Sequence, residues 1–98
     1  GQKRVECRNF HYFIVEEEDV YGVLNNTRLL IRLKLYEVDE LLKSKDFIRV
    51  SKYCLVNIGK IAYIKPELNS KLNLLMKNND HVEVNRGYYK EFKKTLKI

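Results

Sequence analysis

The sequence predicts a mainly β domain with one short helix and one C-terminal helix. Three observations point there. Aromatic and β-branched residues fall in short runs bounded by turn residues, two hairpin signals are present, and helical spacing of apolar residues recurs in two places. A length of 98 residues suits one domain, and a composition 45% hydrophobic and 11% aromatic supplies a core.

Phe10 to Val15 is aromatic and β-branched and reads as a buried strand. The acidic run Glu16-Glu17-Glu18-Asp19 interrupts it as a loop, and Val20 to Leu24 resumes the strand pattern. Asn25-Asn26-Thr27 is a turn signal leading to Arg28–Leu33, a hairpin. Leu35, Val38, Leu41 and Leu42 recur at helical spacing, with acids early and Lys43 late, which suits the helix dipole. A short helix is expected over about 36–43. Phe47–Val50 and Cys54–Asn57 read as strands flanking Ser51-Lys52-Tyr53, and Asn57–Lys60 as a single tight helical turn. Ile61–Ile64 is a further strand, expected to close at Pro66 and the polar 67–71 loop. Leu72–Met76 and His81–Val84 flank Lys77–Asp80 as a second hairpin. The chain ends in a basic helix over about 87–97, with Tyr88, Tyr89, Phe92 and Leu96 on one stripe.

Charge is unevenly distributed. Residues 1–48 hold 8 basic and 9 acidic side chains, whereas residues 49–98 hold 11 and 4, so the net +6 belongs to the second half. A one-sided positive field favours a polyanionic partner. No linker separates the halves, so one domain over 2–98 is expected. Gly1, with no Met before it, reads as a cleavage scar, and the domain as the C-terminal part of a longer chain. No apolar run approaches the ~20 residues of a membrane helix, and the opening residues do not read as a signal peptide. Cys7 and Cys54 lack any metal-ligand spacing and read as mostly buried free thiols in a reducing, cytoplasmic compartment.

Enzyme readings find little support. His11 and His81 stand far apart, each without a partner at metal-ligand spacing, and both read as structural or surface residues. The four glycines are isolated and form no phosphate-cradling motif. Glu16–Asp19 lacks the spaced second ligand set of a cation site and reads as a solvated loop. No catalysis, cofactor, metal, membrane or small-molecule substrate is expected. The basic half is more informative. Arg49, Lys52, Lys60, Lys65 and Arg86 fall at loops and strand ends, with Lys90, Lys93, Lys94 and Lys97 on the last helix. Arg and Lys pair with phosphates, and at a loop tip they reach guanine O6 and N7. The residues alone thus indicate a small basic β domain that binds nucleic acid. A single-stranded binder and a protein-interaction module using the same basic face stay open.

Several stretches together carry a family resemblance. They are Leu35-Tyr36-Glu37-Val38-Asp39-Glu40-Leu41-Leu42, Phe47-Ile48-Arg49-Val50-Ser51-Lys52, Leu55-Val56-Asn57-Ile58 with Lys60-Ile61, and Val82-Glu83-Val84-Asn85-Arg86-Gly87-Tyr88-Tyr89-Lys90. In order and spacing the chain resembles the LytTR family of DNA-binding domains over about residues 10–97. The resemblance implies an elongated stack of small antiparallel sheets with one or two short helices. It implies double-stranded promoter DNA as partner, loops reading successive major grooves, and two copies on a repeated site. It also implies an output domain of a bacterial response regulator or a shorter regulator. By position, Lys52 and Arg86 are the expected base readers, and Arg49, Tyr53, Tyr88, Tyr89 and Lys90 fall near the family's DNA-backbone contacts; Ser51 and Lys60, basic-loop neighbours in sequence, are expected backbone contacts as well. Asn57 is expected to hold the turn before Ile58. Two departures stand out. Ser51-Lys52 replaces a His-Arg or Asn pair common in the family, so the base preference is this chain's own. The first-hairpin loop is acidic, so it should avoid phosphates, accepting from a cytosine amine being its one route to a base.

Overall fold

A computed structural model describes residues 4–98. Gly1, read above as a cleavage scar, lies outside the described residues. Among the described residues eight strands and two helices form, in the order β1 (Tyr12–Glu16), β2 (Asp19–Val23), β3 (Arg28–Ile31), α1 (Leu35–Leu41), β4 (Phe47–Ser51), β5 (Cys54–Asn57), β6 (Ile61–Glu67), β7 (Lys71–Met76), β8 (His81–Val84) and α2 (Arg86–Leu96). Short 3-10 turns cover Cys7–Asn9 and Ile58–Lys60.

The strands make two antiparallel sheets, one of five in the order β3-β2-β1-β5-β4 and one of three in the order β6-β7-β8. Side-chain alternation gives the larger sheet two buried faces. Phe13, Val20, Phe47 and Leu55 meet Phe10 and the Leu35, Val38 and Leu42 stripe of α1. The opposite face presents Ile48, Val50, Cys54 and Val56 to Leu72, Leu74, Met76, Val82 and Val84 of the smaller sheet, with Phe92 of α2 fully buried among them. The larger sheet is therefore a middle layer with a core on each side. The molecule measures 46 × 26 × 23 Å, so the elongated stack that the resemblance implies is what forms. A polar joint fixes the two sheets. Tyr12 Oη donates to Asp80 Oδ2 at 2.9 Å, and Asn78 Nδ2 donates to Leu24 O at 3.1 Å.

Several boundaries differ from the sequence reading. Phe10 and His11 precede β1 because the 3-10 turn Cys7–Asn9 delivers them, though both are buried. The acidic run is not a four-residue loop: Glu16 and Asp19 pair as the last rung of the hairpin, and Glu17 takes a left-handed φ of 59°. β6 runs through Pro66 to Glu67, which a proline permits because β6 is an edge strand paired only with β7. α2 begins at Arg86, one residue early. Cys7 is exposed, since the turn that carries it packs through its neighbours; Cys54 is buried and free. Burial pushes the Cys54 thiol up to about 12, so it stays protonated.

Candidate nucleic-acid interface

The tight connection between β4 and β5 consists of Lys52 and Tyr53, both exposed. Its shape is set from behind. A register shift lies between Arg49 and Ser51, and Ser51 pairs with Cys54. Ser51 Oγ accepts from Tyr53 N at 3.2 Å, closing the turn. Arg49 Nη1 donates to the Lys52 carbonyl at 3.1 Å. Arg49 Nε stands 3.4 Å from Asp39 Oδ2 of α1, at ion-pair range but outside hydrogen-bond geometry. Lys52 Nζ lies 5.8 Å from the Tyr53 ring centre.

α2 arrives at the same place. Asn85 N donates to Val50 O at 2.9 Å, so the helix start is tied to the end of β4 two residues before Lys52. Arg86 opens the helix, exposed, with Gly87 beside it and no side-chain cap from Asn85. The helix dipole presents its positive end there. Lys90, Lys94 and Lys97 follow on the exposed face, while Tyr88, Tyr89 and Leu96 pack on the core around Phe92. Lys93 Nζ sits 5.2 Å from the Tyr89 ring centre.

Of the expected contact residues, then, Lys52, Tyr53, Arg86 and Lys90 are exposed and share one edge of the fold. Tyr88 and Tyr89 are half-buried beside them. Ser51 is buried and Arg49 is half-buried and engaged with the turn, and this alters the expectation for them. The Ser51 hydroxyl lies in the turn, and Arg49 braces the turn through the Lys52 carbonyl, so both shape the loop that carries Lys52. Lys60 is not brought to this edge. It closes the 3-10 turn at the opposite end of β5, where its carbonyl accepts from Lys77 N at 2.8 Å. The sequence reading missed Asn85, whose tie to Val50 is a main-chain bond without any side-chain signature.

The acidic hairpin turn is also on this edge. Val15 N donates to Tyr53 O at 2.9 Å, which sets the Glu17–Glu18 turn next to Tyr53. Glu16 is neutralised by Arg28 Nη1 at 2.7 Å. A shallow groove of about 370 Å³ runs between Tyr53 and Asn85 along the β1 surface. Among the described residues no group of three or more His, Cys, Asp or Glu could hold a metal ion, and no helix is long and apolar enough to cross a membrane.

Comparison with known proteins bears on the family and the fold. The family profile of the LytTr DNA-binding domain matches residues 1–97. The sensory transduction protein LytT of Bacillus subtilis (strain 168) is 42% identical over 64 residues, 65% of this chain and 27% of that protein. An uncharacterized HTH-type transcriptional regulator of Staphylococcus aureus (strain NCTC 8325 / PS 47) is 30% identical over 86 residues, 88% of this chain and 58% of that protein. The chain thus spans between about a quarter and somewhat over half of these relatives. Among solved structures, the LytTr DNA-binding domain of a response regulator from Bacillus cereus superposes with a TM-score of 0.91 at 26% identity, covering 96% of this chain and 86% of that one. With a family match over nearly its whole length and a fold to accord with it, the chain belongs to the LytTR family of DNA-binding domains.

Proposed function

We propose that this domain binds double-stranded DNA sequence-specifically as part of a bacterial transcription regulator, with two copies meeting a repeated promoter site. One observation carries the reading: Asn85 N to Val50 O at 2.9 Å joins the Lys52–Tyr53 turn and the Arg86 end of α2 into one exposed basic edge. Lys52 and Arg86 reach base edges in the major groove, where a lysine or arginine pairs with guanine O6 and N7. Tyr53, Lys90 and the hydroxyls of Tyr88 and Tyr89 meet phosphates and fix register. Ser51 and Arg49 serve by holding the turn. A rigid sheet behind both loops favours duplex over single strands, because it presents two fixed points and no open platform of stacked aromatics.

The test is selection from random-sequence duplexes, followed by binding to the enriched site. Lys52→Ala or Arg86→Ala should cost about 1–3 kcal/mol on that site and little on random DNA. Lys90→Ala should weaken both about equally. If Arg86→Ala weakened both alike, its base-reading role would be wrong, and flat selection would turn the reading toward a protein partner for the basic face.

A further inference from the structure

The strand register brings one more cation to this edge, at the end remote from Arg86. Val20 pairs with Ile31, so Arg32 emerges just past β3, level with Asp19. Along the edge the order is Arg32, the Glu17–Glu18 turn, the Lys52–Tyr53 turn and Arg86. At about 4.8 Å per strand, Arg32 stands roughly 17 Å from the Lys52 turn, equivalent to about five base pairs of duplex axis. Arg32 is exposed. Among the described residues the ion pairs use Arg8, Arg28, Lys43, Arg49 and Lys71, which leaves the Arg32 guanidinium unengaged.

Its surroundings give it a task. Arg32 and Lys34 line a concave surface of about 210 Å³ together with Glu18, Asp19 and Glu37. A duplex following the edge past Lys52 meets Glu17, Glu18 and Asp19, whose charges repel phosphate. By the same strand spacing the Lys52 turn lies roughly 10 Å from the acidic turn, and screening in physiological salt has a length of about 8 Å, so Lys52 offsets these charges only in part and from one side. Arg32, on the far side of the acidic turn, is near enough to offset them from the other.

We propose that Arg32 is a second, separate phosphate anchor. It holds the DNA backbone beyond the acidic turn, so that the carboxylates of Glu17 and Glu18 lie between two cationic contacts. The proposal rests on the duplex-binding reading above and extends its footprint. Because Arg32 packs into neither core, removing it should leave the fold alone.

The experiment measures binding of a fluorescent mixed-sequence duplex across a salt series for the wild-type chain, Arg32→Ala, Arg32→Lys and Lys90→Ala, with a melting curve for each. Arg32→Ala should bind about threefold to tenfold more weakly at ~0.15 M salt and lower the slope of log affinity against log salt by about 0.9, one phosphate contact. Its melting temperature should be unchanged, and Arg32→Lys should keep the wild-type slope. Wild-type affinity and slope in Arg32→Ala, with Lys90→Ala weakened, would overturn the anchor and leave the duplex reading standing. A lowered melting temperature, with Arg32→Lys as defective as Arg32→Ala, would assign Arg32 a structural role and overturn the anchor too. If the wild-type chain does not bind duplex at all, the reading itself falls and the anchor with it.

Discussion

Asn57 shows what one side chain does for this fold. It is 5% exposed, and its Nδ2 donates to the carbonyls of Arg8 at 3.1 Å and Phe10 at 2.8 Å, while its Oδ1 accepts from Gly59 N at 3.0 Å. It therefore ties the N-terminal segment to the end of β5. Asn57→Ala removes one partner from three main-chain groups and should cost about 2–3 kcal/mol in a urea titration. The turn-holding part of this role was legible in the sequence; the bonds to Arg8 and Phe10 were not, since their partners are 49 and 47 residues away. His11, read as structural, is 4% exposed, and its Nδ1 has no hydrogen-bond partner among the described residues. Burial, then the charge of Lys60, lowers its pKa from 6.5; Lys77 adds to this and Asp80 opposes it. The unfolded chain thus takes up this proton more readily than the folded one. The His11 contribution is complete above about pH 6.5 and is lost as pH falls toward the lowered value. Melting temperature should therefore drop between about pH 7.5 and about pH 5.5, and by less in His11→Phe.

At the scale of elements, the strands were legible wherever alternation and turn chemistry agreed, as in the Asn25-Asn26 hairpin and the Lys77–Asp80 hairpin. Boundaries failed where a neighbouring strand decided the outcome. Pro66 looks like a stop in sequence, yet β6 continues because only one of its edges needs donors. The acidic residues look like a loop, yet Glu16 and Asp19 pair because β1 and β2 are held in register by Val15↔Val20 behind them. The start of α2 illustrates a division between stability and binding. A Cβ added at Gly87 would meet nothing within 4 Å, so no contact in the fold requires glycine there. Gly87→Ala should stabilise the domain by about 0.5–1 kcal/mol through lost chain entropy. It should also weaken duplex binding if the backbone of the first turn approaches a phosphate. Chemical denaturation and duplex titration of the same variant read the two effects separately.

At the scale of the molecule, one copy offers two expected base readers, Lys52 and Arg86, and its other contacts go to the DNA backbone. A single copy therefore reads few base pairs, and a second copy adds contacts on a neighbouring half-site. The expected outcome is a monomer in solution and two copies on a duplex carrying the selected site twice, spaced by one or two helical turns. Sedimentation of the free chain and of both complexes checks this. A stable dimer without DNA would contradict it.

By itself the sequence determined the class of fold, the positive second half and the loops that carry Lys52 and Arg86. Those features are written in local terms: alternation, turn residues and charge count depend on near neighbours. Tertiary structure alone decided which residues share the edge. It turned Ser51 inward and set Arg49 bracing the turn, sent Lys60 to the other end of β5, and placed an acidic turn beside the basic loop with Arg32 beyond it. Strand order and register make those assignments through main-chain hydrogen bonds, such as Val15 N to Tyr53 O and Asn85 N to Val50 O, between residues far apart in the chain. Every residue type but proline can make such a bond, so the side-chain sequence carries no local mark of it.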